Sequence, residues 1–203
     1  MSTRPTTRAR AFIASAAVLI LAGLAYANVI HPSLVPRRFA EVASGKVYRS
    51  GRLTPGALAR VVERHGIKTV IDFGADPEGT DPDRREAATA AALGIDRVVF
   101  RLEGDARGDP NAYARALAIM TDPARLPVLV HCSAGTERTG CMVILYRHLV
   151  EGVSIDDAYA ESLRMGHDAD NPHVRLMAEE FKDDVRRSWR SGEPIEGWLP
   201  RVK

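Results

Sequence analysis

Cysteine is scarce in this chain of 203 residues, which contains only Cys132 and Cys141. Two cysteines cannot build a disulfide framework, and no cysteine and histidine residues pair at zinc-site spacing, so the sequence implies no metal and no cofactor. An excess of charge is lacking as well: residues 1–30 hold three of the 28 basic residues and none of the 26 acidic ones, which leaves the remainder at −1. A nearly neutral domain without a basic, aromatic-interleaved stripe is not expected to bind nucleic acid.

The N-terminal region has no charged residue over its longest apolar run. Residues 11–30 read AFIASAAVLILAGLAYANVI, and a helix of this length, at ~1.5 Å per residue, would just cross a hydrocarbon core of roughly 30 Å. We therefore predict a transmembrane signal-anchor after a basic tail at residues 1–10, with the catalytic domain exported. The segment Ala25-Tyr26-Ala27 also fits a signal cleavage site, which would give a secreted protein, and a buried soluble helix is the third hypothesis.

The remaining sequence predicts one globular domain over residues 41–190, preceded by a linker at 31–40 and followed by a tail at 191–203. Three times, a Thr-Pro or Asp-Pro pair opens a helix that precedes a short apolar strand. The helices begin near residues 54, 81 and 109, and the strands cover residues 68–73, 96–101 and 127–131. This alternation predicts an α/β fold with a central, mostly parallel sheet flanked by helices. Three further helices are predicted after residues 138, 154 and 173.

Cys132 follows the last predicted strand, in the segment VLVHCSAGTERTG over residues 128–140. The small residues after it allow successive backbone N–H groups to turn inward around one anion, and the following helix adds the positive end of its dipole. Thiols in such a field ionise more readily than free cysteine, so we expect Cys132 to be a nucleophilic thiolate. Arg138 offers a planar fork that matches two phosphoryl oxygens. The segment therefore predicts phosphoester chemistry.

The run His131-Cys132-x5-Arg138-Thr139-Gly140 resembles the phosphate-binding loop of the protein tyrosine phosphatase superfamily. Residues 48–53 (YRSGRL) and 66–72 (GIKTVID) are similar to the opening of its compact, dual-specificity-like branch. The resemblance implies a dual-specificity phosphatase-like fold and a phosphocysteine intermediate formed on Cys132. It further implies that Arg138 binds the phosphoryl group, that Thr139 supports the thiolate and that His131 fixes the loop. The remaining phosphate-binding positions that it implies are Ser133, Ala134, Gly135, Thr136 and Glu137.

The proton donor for the leaving oxygen should be a carboxylate on the segment LEGDARGDPNAY. The resemblance places the acid a few residues before the helix that leads to the nucleophile strand, which favours Asp105. Asp109 is better explained as the N-cap of that helix, because Pro110 follows it. Glu103 is a third candidate for the acid, and the hypothesis of a reaction without a protein acid stays open.

The substrate is less constrained than the reaction. Relatives that act on phosphoinositides or inositol phosphates tend to carry Gly-Lys-Asp-Arg-Thr-Gly, whereas residues 135–140 here read GTERTG and lack the lysine. We therefore predict a phosphorylated protein, as in a tyrosine or dual-specificity phosphatase. The competing hypothesis is an inositol phosphate or phosphoinositide, for which Lys46, Arg101 or Arg107 would supply positive charge.

Two hypotheses from different functional classes stay open. A rhodanese-like sulfurtransferase also places a cysteine in an anion-binding loop, but the Arg-Thr-Gly helix start fits that family less well. The second hypothesis is a membrane-tethered, phosphate-binding pseudophosphatase. The sequence gives no indication of the oligomeric state.

Overall fold

The computed structural model describes residues 7–26 and 36–198, and its described part contains seven helices and five strands. The helices are α1 Thr7–Ala25, α2 Pro55–His65, α3 Asp81–Ala92, α4 Pro110–Thr121, α5 Glu137–Leu149, α6 Ile155–Arg164 and α7 His173–Ser191. The strands are β1 Ala40–Ala43, β2 Val47–Ser50, β3 Thr69–Asp72, β4 Asp96–Val99 and β5 Val128–His131.

The strands form one sheet in the order β1-β2-β5-β3-β4. Strands β2, β5, β3 and β4 run parallel, and only β1 is antiparallel to its neighbour β2. Each residue of β5 is buried, as expected for a continuously apolar strand in the middle of a sheet. The predicted mostly parallel α/β sheet is therefore confirmed, and the carboxyl ends of four strands meet at one edge, where ligands of such sheets bind.

Helices cover both faces of the sheet, because alternate residues along each strand enter different cores. Ile71 and Val130 belong to the larger core, which α4, α5 and α7 cover. Val70 and Leu129, their neighbours along the chain, belong to a smaller core under α2. The site at the strand ends is thus held between two packed layers.

The predicted helix starts agree with the structure. Thr54 caps α2 by accepting a hydrogen bond from Ala57 N–H, and Ser154 caps α6 in the same way through Asp157 N–H. The β1–β2 hairpin was not predicted, because its short strands carry charged residues and interrupt the helix-strand alternation. Parts of the predicted linker and tail also belong to the domain. Ala40 lies in β1, and Ile195, 4% exposed, is held to α4 through Asn111.

The N-terminal helix α1 includes part of the predicted membrane span, and residues 27–30 of that span lie outside the described residues. Large apolar side chains of α1 are exposed, among them Leu19 at 73%. Within residues 7–26 and 36–198 no helix is long and apolar enough to cross a membrane, so the predicted transmembrane span is not supported. The exported location stays a prediction.

Candidate active site

Cys132 lies at the carboxyl end of the central strand β5, with only 1% of its surface exposed. The strand directs the chain to the sheet edge, and residues 133–136 then turn back before α5 begins at Glu137. The backbone N–H of Gly135 donates to Cys132 Sγ at 3.2 Å. The nucleophile predicted from the sequence therefore lies within hydrogen-bond distance of the loop backbone.

The backbone of the phosphate loop, residues 133–136, is held in an unusual orientation by arginines from outside the loop. Three consecutive carbonyl groups each accept one hydrogen bond from outside the loop, two of them from arginine side chains and one from a backbone N–H. The bonds run from the backbone N–H of Arg52 to Ser133 O (3.1 Å), from Arg38 Nη1 to Ala134 O (3.0 Å) and from Arg49 Nη2 to Gly135 O (2.7 Å). Carbonyls fixed outward leave the N–H groups for an anion, as a nest requires.

Gly135 is the loop position at which only glycine fits. Its φ is +77°, and a Cβ there would lie 2.5 Å from Gly51 N and 2.7 Å from the Ser50 carbonyl. The same close approach is seen from the other side, because a Cβ on Gly51 would lie 2.8 Å from Ala134 O. The end of β2 therefore packs directly against the phosphate loop, backbone on backbone.

Arg138 is anchored at one end of its guanidinium group. Its Nη1 donates to Phe73 O at 2.7 Å and also to Gly74 O, just beyond β3. Its Nε is buried and has no protein partner among the described residues. This arrangement fixes the plane of the guanidinium and leaves donors for two phosphoryl oxygens, which is the geometry that a clamp needs.

His131 lies beneath the loop in a buried network of charges. Its Nε2 is 2.8 Å from Glu86 Oε1, and Arg97 binds Glu86, Asp72 and Asp83. Burial by itself lowers the pKa of His131, but the hydrogen bond to Glu86, with the charges of Glu86 and Asp72, raises it to about 9. His131 is therefore a cation at neutral pH, directly before the nucleophile in the chain.

The same network contains the one cluster of metal-ligand type among the described residues, Asp72, Glu86 and His131. Its carboxylates already bind Arg97 and the protonated His131. A cation entering here would meet two positive charges, so the donor set does not fit a metal ion.

The side chain of Glu137 does not take part in the predicted anion nest. Its side-chain oxygens bind the segment between α6 and α7: Oε2 accepts from Asn171 Nδ2 and lies next to His167 Nδ1, both at 2.7 Å, and Oε1 accepts from Asp168 N–H at 3.3 Å. Only its backbone N–H can belong to the anion nest. Thr139, expected to support the thiolate, is fully buried, and its hydroxyl has no partner among the described residues.

Asp105 lies on a tight turn, the acid loop, residues 103–107. Its Oδ1 accepts from Arg107 N–H at 3.0 Å, and its Oδ2 accepts from Arg107 Nε at 2.8 Å. Burial by itself raises the pKa of Asp105, but these bonds from Arg107 outweigh burial and lower it. These bonds favour the carboxylate form of Asp105 over the protonated form that a proton donor needs.

The remaining two candidate acids have different surroundings. Asp109 is the N-cap of α4, as predicted, and its Oδ1 accepts from Asn111 N–H at 2.9 Å. Glu103 is exposed at the start of the turn. Asp76, which the sequence did not suggest, lies after β3 and pairs with Arg52 at 2.7 Å, and burial raises its pKa.

A family model described as "DSP-PTPase phosphatase fused to NAD+ Kinase" matches residues 28–181 of the chain. The chain belongs to this DSP-PTPase family. It accordingly belongs to the cysteine-dependent protein tyrosine phosphatase superfamily, as the resemblance of residues 131–140 implied.

Relatives of this DSP-PTPase domain agree with that assignment. The chain is 24% identical over 182 residues to the inositol diphosphatase SIW14 of Saccharomyces cerevisiae, and the aligned region covers 85% of the chain and 60% of SIW14. The SIW14 core catalytic domain in complex with citrate has a TM-score of 0.64 at 23% identity, covering 81% of this chain and 96% of that one. TpbA of P. aeruginosa in complex with pTyr has a TM-score of 0.62 at 22% identity, covering 79% and 93%. These structures show a shared fold.

Most residues that hold the phosphate loop of this DSP-PTPase domain in place were not predicted from the sequence. Arg38 lies in the predicted linker, and Asn171 lies between two helices in a segment with no motif. Arg49 and Arg52 lie in the YRSGRL segment, which did signal the family, but nothing in the segment itself indicates that they contact residues more than 80 positions away.

Proposed function

We propose that the chain hydrolyses phosphate monoesters through a phosphocysteine on Cys132, with protein phosphotyrosine as its main substrate. The observation that supports this best is that three loop carbonyls are bound from outside the loop, by the side chains of Arg38 and Arg49 and by a backbone N–H, because this prepares an anion nest directly beside a buried cysteine. Such preorganised donors stabilise charge that develops in a transition state without reorganising.

In the first step, the thiolate of Cys132 attacks phosphorus, the P–S bond forms and the P–O bond to the leaving group breaks. A protonated Asp105 gives its proton to the leaving oxygen. In the second step, the Asp105 carboxylate takes a proton from water, the water oxygen attacks phosphorus, and the P–S bond breaks to release phosphate and the thiolate. Arg138 binds two equatorial oxygens throughout, and the N–H groups of residues 133–137 bind the phosphoryl group.

The charges around the loop favour a substrate with one phosphate. Three half-exposed arginines follow strand ends or lie on the acid loop, and each already pairs with an acid. The pairs are Arg52 with Asp76, Arg101 with Glu78 and Arg107 with Asp105. A phosphotyrosine side chain needs only the nest, whereas a polyphosphate would have to displace these carboxylates to gain contacts. The pTyr complex of TpbA is in line with this proposal.

A second candidate is an inositol diphosphate. It is favoured by the similarity to SIW14, which is described as an inositol diphosphatase. Here the leaving group itself would be a phosphate, and Arg52 and Arg101 would exchange their acid partners for its oxygens.

The test uses the purified full chain and p-nitrophenyl phosphate. We expect turnover, a trapped phosphocysteine with labelled substrate, and the loss of both in Cys132→Ser. Cys141→Ser is the matched control, because Cys141 is also buried but burial raises its pKa to about 12, which keeps it a thiol. Turnover that survives in Cys132→Ser would refute the mechanism. A panel of phosphotyrosine peptides and inositol diphosphates then decides the substrate by kcat/KM.

A further inference from the structure

Asn171 contacts both halves of the proposed catalytic machinery. Its Nδ2 donates to Glu137 Oε2 at 2.7 Å, at the first residue of α5, and to the backbone carbonyl of Asp105 at 3.2 Å. Its Oδ1 accepts from His173 N–H at 3.0 Å, so that the amide is oriented by the start of α7. One side chain therefore joins the residue next to Arg138 to the turn that carries Asp105.

The surroundings of Asn171 hold this arrangement in place. Glu137 also lies 2.7 Å from Nδ1 of the buried His167, whose Nε2 is 3.2 Å from the Tyr159 hydroxyl. The acid loop is closed by Glu103 N–H donating to Arg107 O at 2.8 Å. Both partners of Asn171 are thus fixed on their own side, and its amide is the bridge between them.

The Asp105 side chain itself has no such fixed position relative to the loop. Its carboxylate binds Arg107, two residues away, and lies 3.9 Å from His173 Nε2. When the side chain leaves Arg107 to protonate a leaving group, the backbone carbonyl held by Asn171 remains as the pivot that sets where the carboxyl group arrives. A displacement of about 1 Å there is enough to cost catalysis roughly 10²-fold.

We propose that Asn171 is a positioning residue that sets the distance of Asp105 from the phosphate loop through Glu137 and the Asp105 carbonyl. This rests on the proposed function, with Asp105 as the proton donor. Asn171 makes no contact with the reacting atoms in this role. Its effect should therefore fall on proton transfer and leave phosphate binding unchanged.

The experiment compares two aryl phosphates that differ in their need for a proton. Phenyl phosphate has a poor leaving group, and p-nitrophenyl phosphate a good one. We expect Asn171→Ala in the full chain to lower kcat for phenyl phosphate by about 10- to 100-fold and kcat for p-nitrophenyl phosphate by less than about threefold, because a general acid contributes mainly to poor leaving groups. The Ki for inorganic phosphate should not change.

Two further variants separate positioning from folding. Asn171→Asp keeps the acceptor for His173 N–H but removes the donor. Adding Glu137→Gln restores a hydrogen bond between positions 137 and 171, because the new amide can donate to the aspartate. The bond to the Asp105 carbonyl is not restored, so the double variant should keep a low kcat for phenyl phosphate. Asn111→Ala is the control, since Asn111 also bridges two segments, α4 and Ile195, but does not contact the acid loop.

The outcomes distinguish the two proposals. If the wild-type chain hydrolyses neither aryl phosphate, the proposed function fails. If the wild type is active and Asn171→Ala lowers both rates equally, or leaves both unchanged, the positioning role is overturned. It is also overturned if Asn171→Ala, combined with Asp105→Asn, lowers the rate by as much as it does alone, because the two residues would then act independently. Recovery of the phenyl phosphate rate in the double variant would overturn it as well.

Discussion

The phosphate loop and the acid loop are held by different means, although the proposed reaction uses both. The phosphate loop is buried, its carbonyls are bound by arginines from distant segments, and β2 packs against it backbone to backbone. Two carbonyls of the acid loop are also bound from outside, Asp105 O by Asn171 and Ala106 O by Tyr113, but the Asp105 side chain is 29% exposed and hydrogen-bonded within the loop, to Arg107. The phosphate loop is therefore preorganised to bind an anion, whereas in the proposed mechanism the Asp105 side chain rearranges before it transfers a proton.

The largest effect should come from the clamp itself. We expect Arg138→Lys to lower kcat/KM for p-nitrophenyl phosphate by on the order of 10³-fold, because an ammonium group cannot bind two phosphoryl oxygens and the Phe73 carbonyl in one plane. Arg147→Lys, on the same helix but paired with Glu161, is the control and should stay within about threefold. A mild effect of Arg138→Lys would mean that the loop is less preorganised than the structure indicates.

The charge network beneath the phosphate loop should affect the pH dependence of stability. The pKa of His131 is raised to about 9 in the folded state, above its ordinary value of 6.5. Its contribution, about 3 kcal/mol, is therefore fully present below pH 6.5 and is lost as the pH rises through 9. Urea unfolding from pH 6 to pH 9.5 measures this loss, and Glu86→Gln should flatten the curve. A wild-type curve that is itself flat would show that His131 is neutral.

A smaller effect is expected where a single loop carbonyl loses its donor. Arg38→Met removes the bond to Ala134 O and should weaken inhibition by inorganic phosphate about fivefold, since a hydrogen bond of this kind contributes about 1 kcal/mol. Arg37→Met is the matched control, because Arg37 is an exposed neighbour. Equal changes in both variants would assign the effect to charge alone.

The smallest effect is expected at the acid loop. Arg107→Gln removes the side-chain hydrogen bond and the charge that lower the pKa of Asp105, while the backbone N–H of residue 107 still donates, so that this pKa should rise. A general acid acts in its protonated form, so the basic limb of the plot of kcat against pH for phenyl phosphate should move to higher pH. On that limb, kcat should increase by about threefold. Arg101→Gln, a half-exposed arginine paired with Glu78, should leave the profile unchanged. A downward shift in Arg107→Gln would assign the proton donor to another group.

The elements that repeat along the sequence could be predicted, and those that depend on distant partners could not. Thr54, Asp109 and Ser154 mark helix starts by local chemistry, and the apolar run of β5 marks a buried strand, so the α/β order followed. The hairpin of β1 and β2 has no such local signal, because its strands are four residues long and its pairing with β5 spans about 80 positions.

The residues of the candidate site also divide into those that the sequence predicts and those that depend on distant partners. Cys132 and Arg138 lie in one continuous motif, so their proximity follows from the strand and helix on either side. The arginines that orient the loop and the amide of Asn171 act across 34 to 96 residues of sequence separation. Nothing in one sequence indicates those contacts, since arginine and asparagine are common on any surface.

The close backbone packing of β2 against the phosphate loop has a consequence for protein design. Because Gly135 lies against Gly51 and two of the loop carbonyls bind the side chains of Arg38 and Arg49, the segment from Cys132 to Arg138 is only part of the proposed anion nest. Grafting those seven residues onto another strand-loop-helix scaffold would transfer the nucleophile without the framework that orients its peptides. A transplantable unit must include both the central strand with its loop and the neighbouring strand with its arginines.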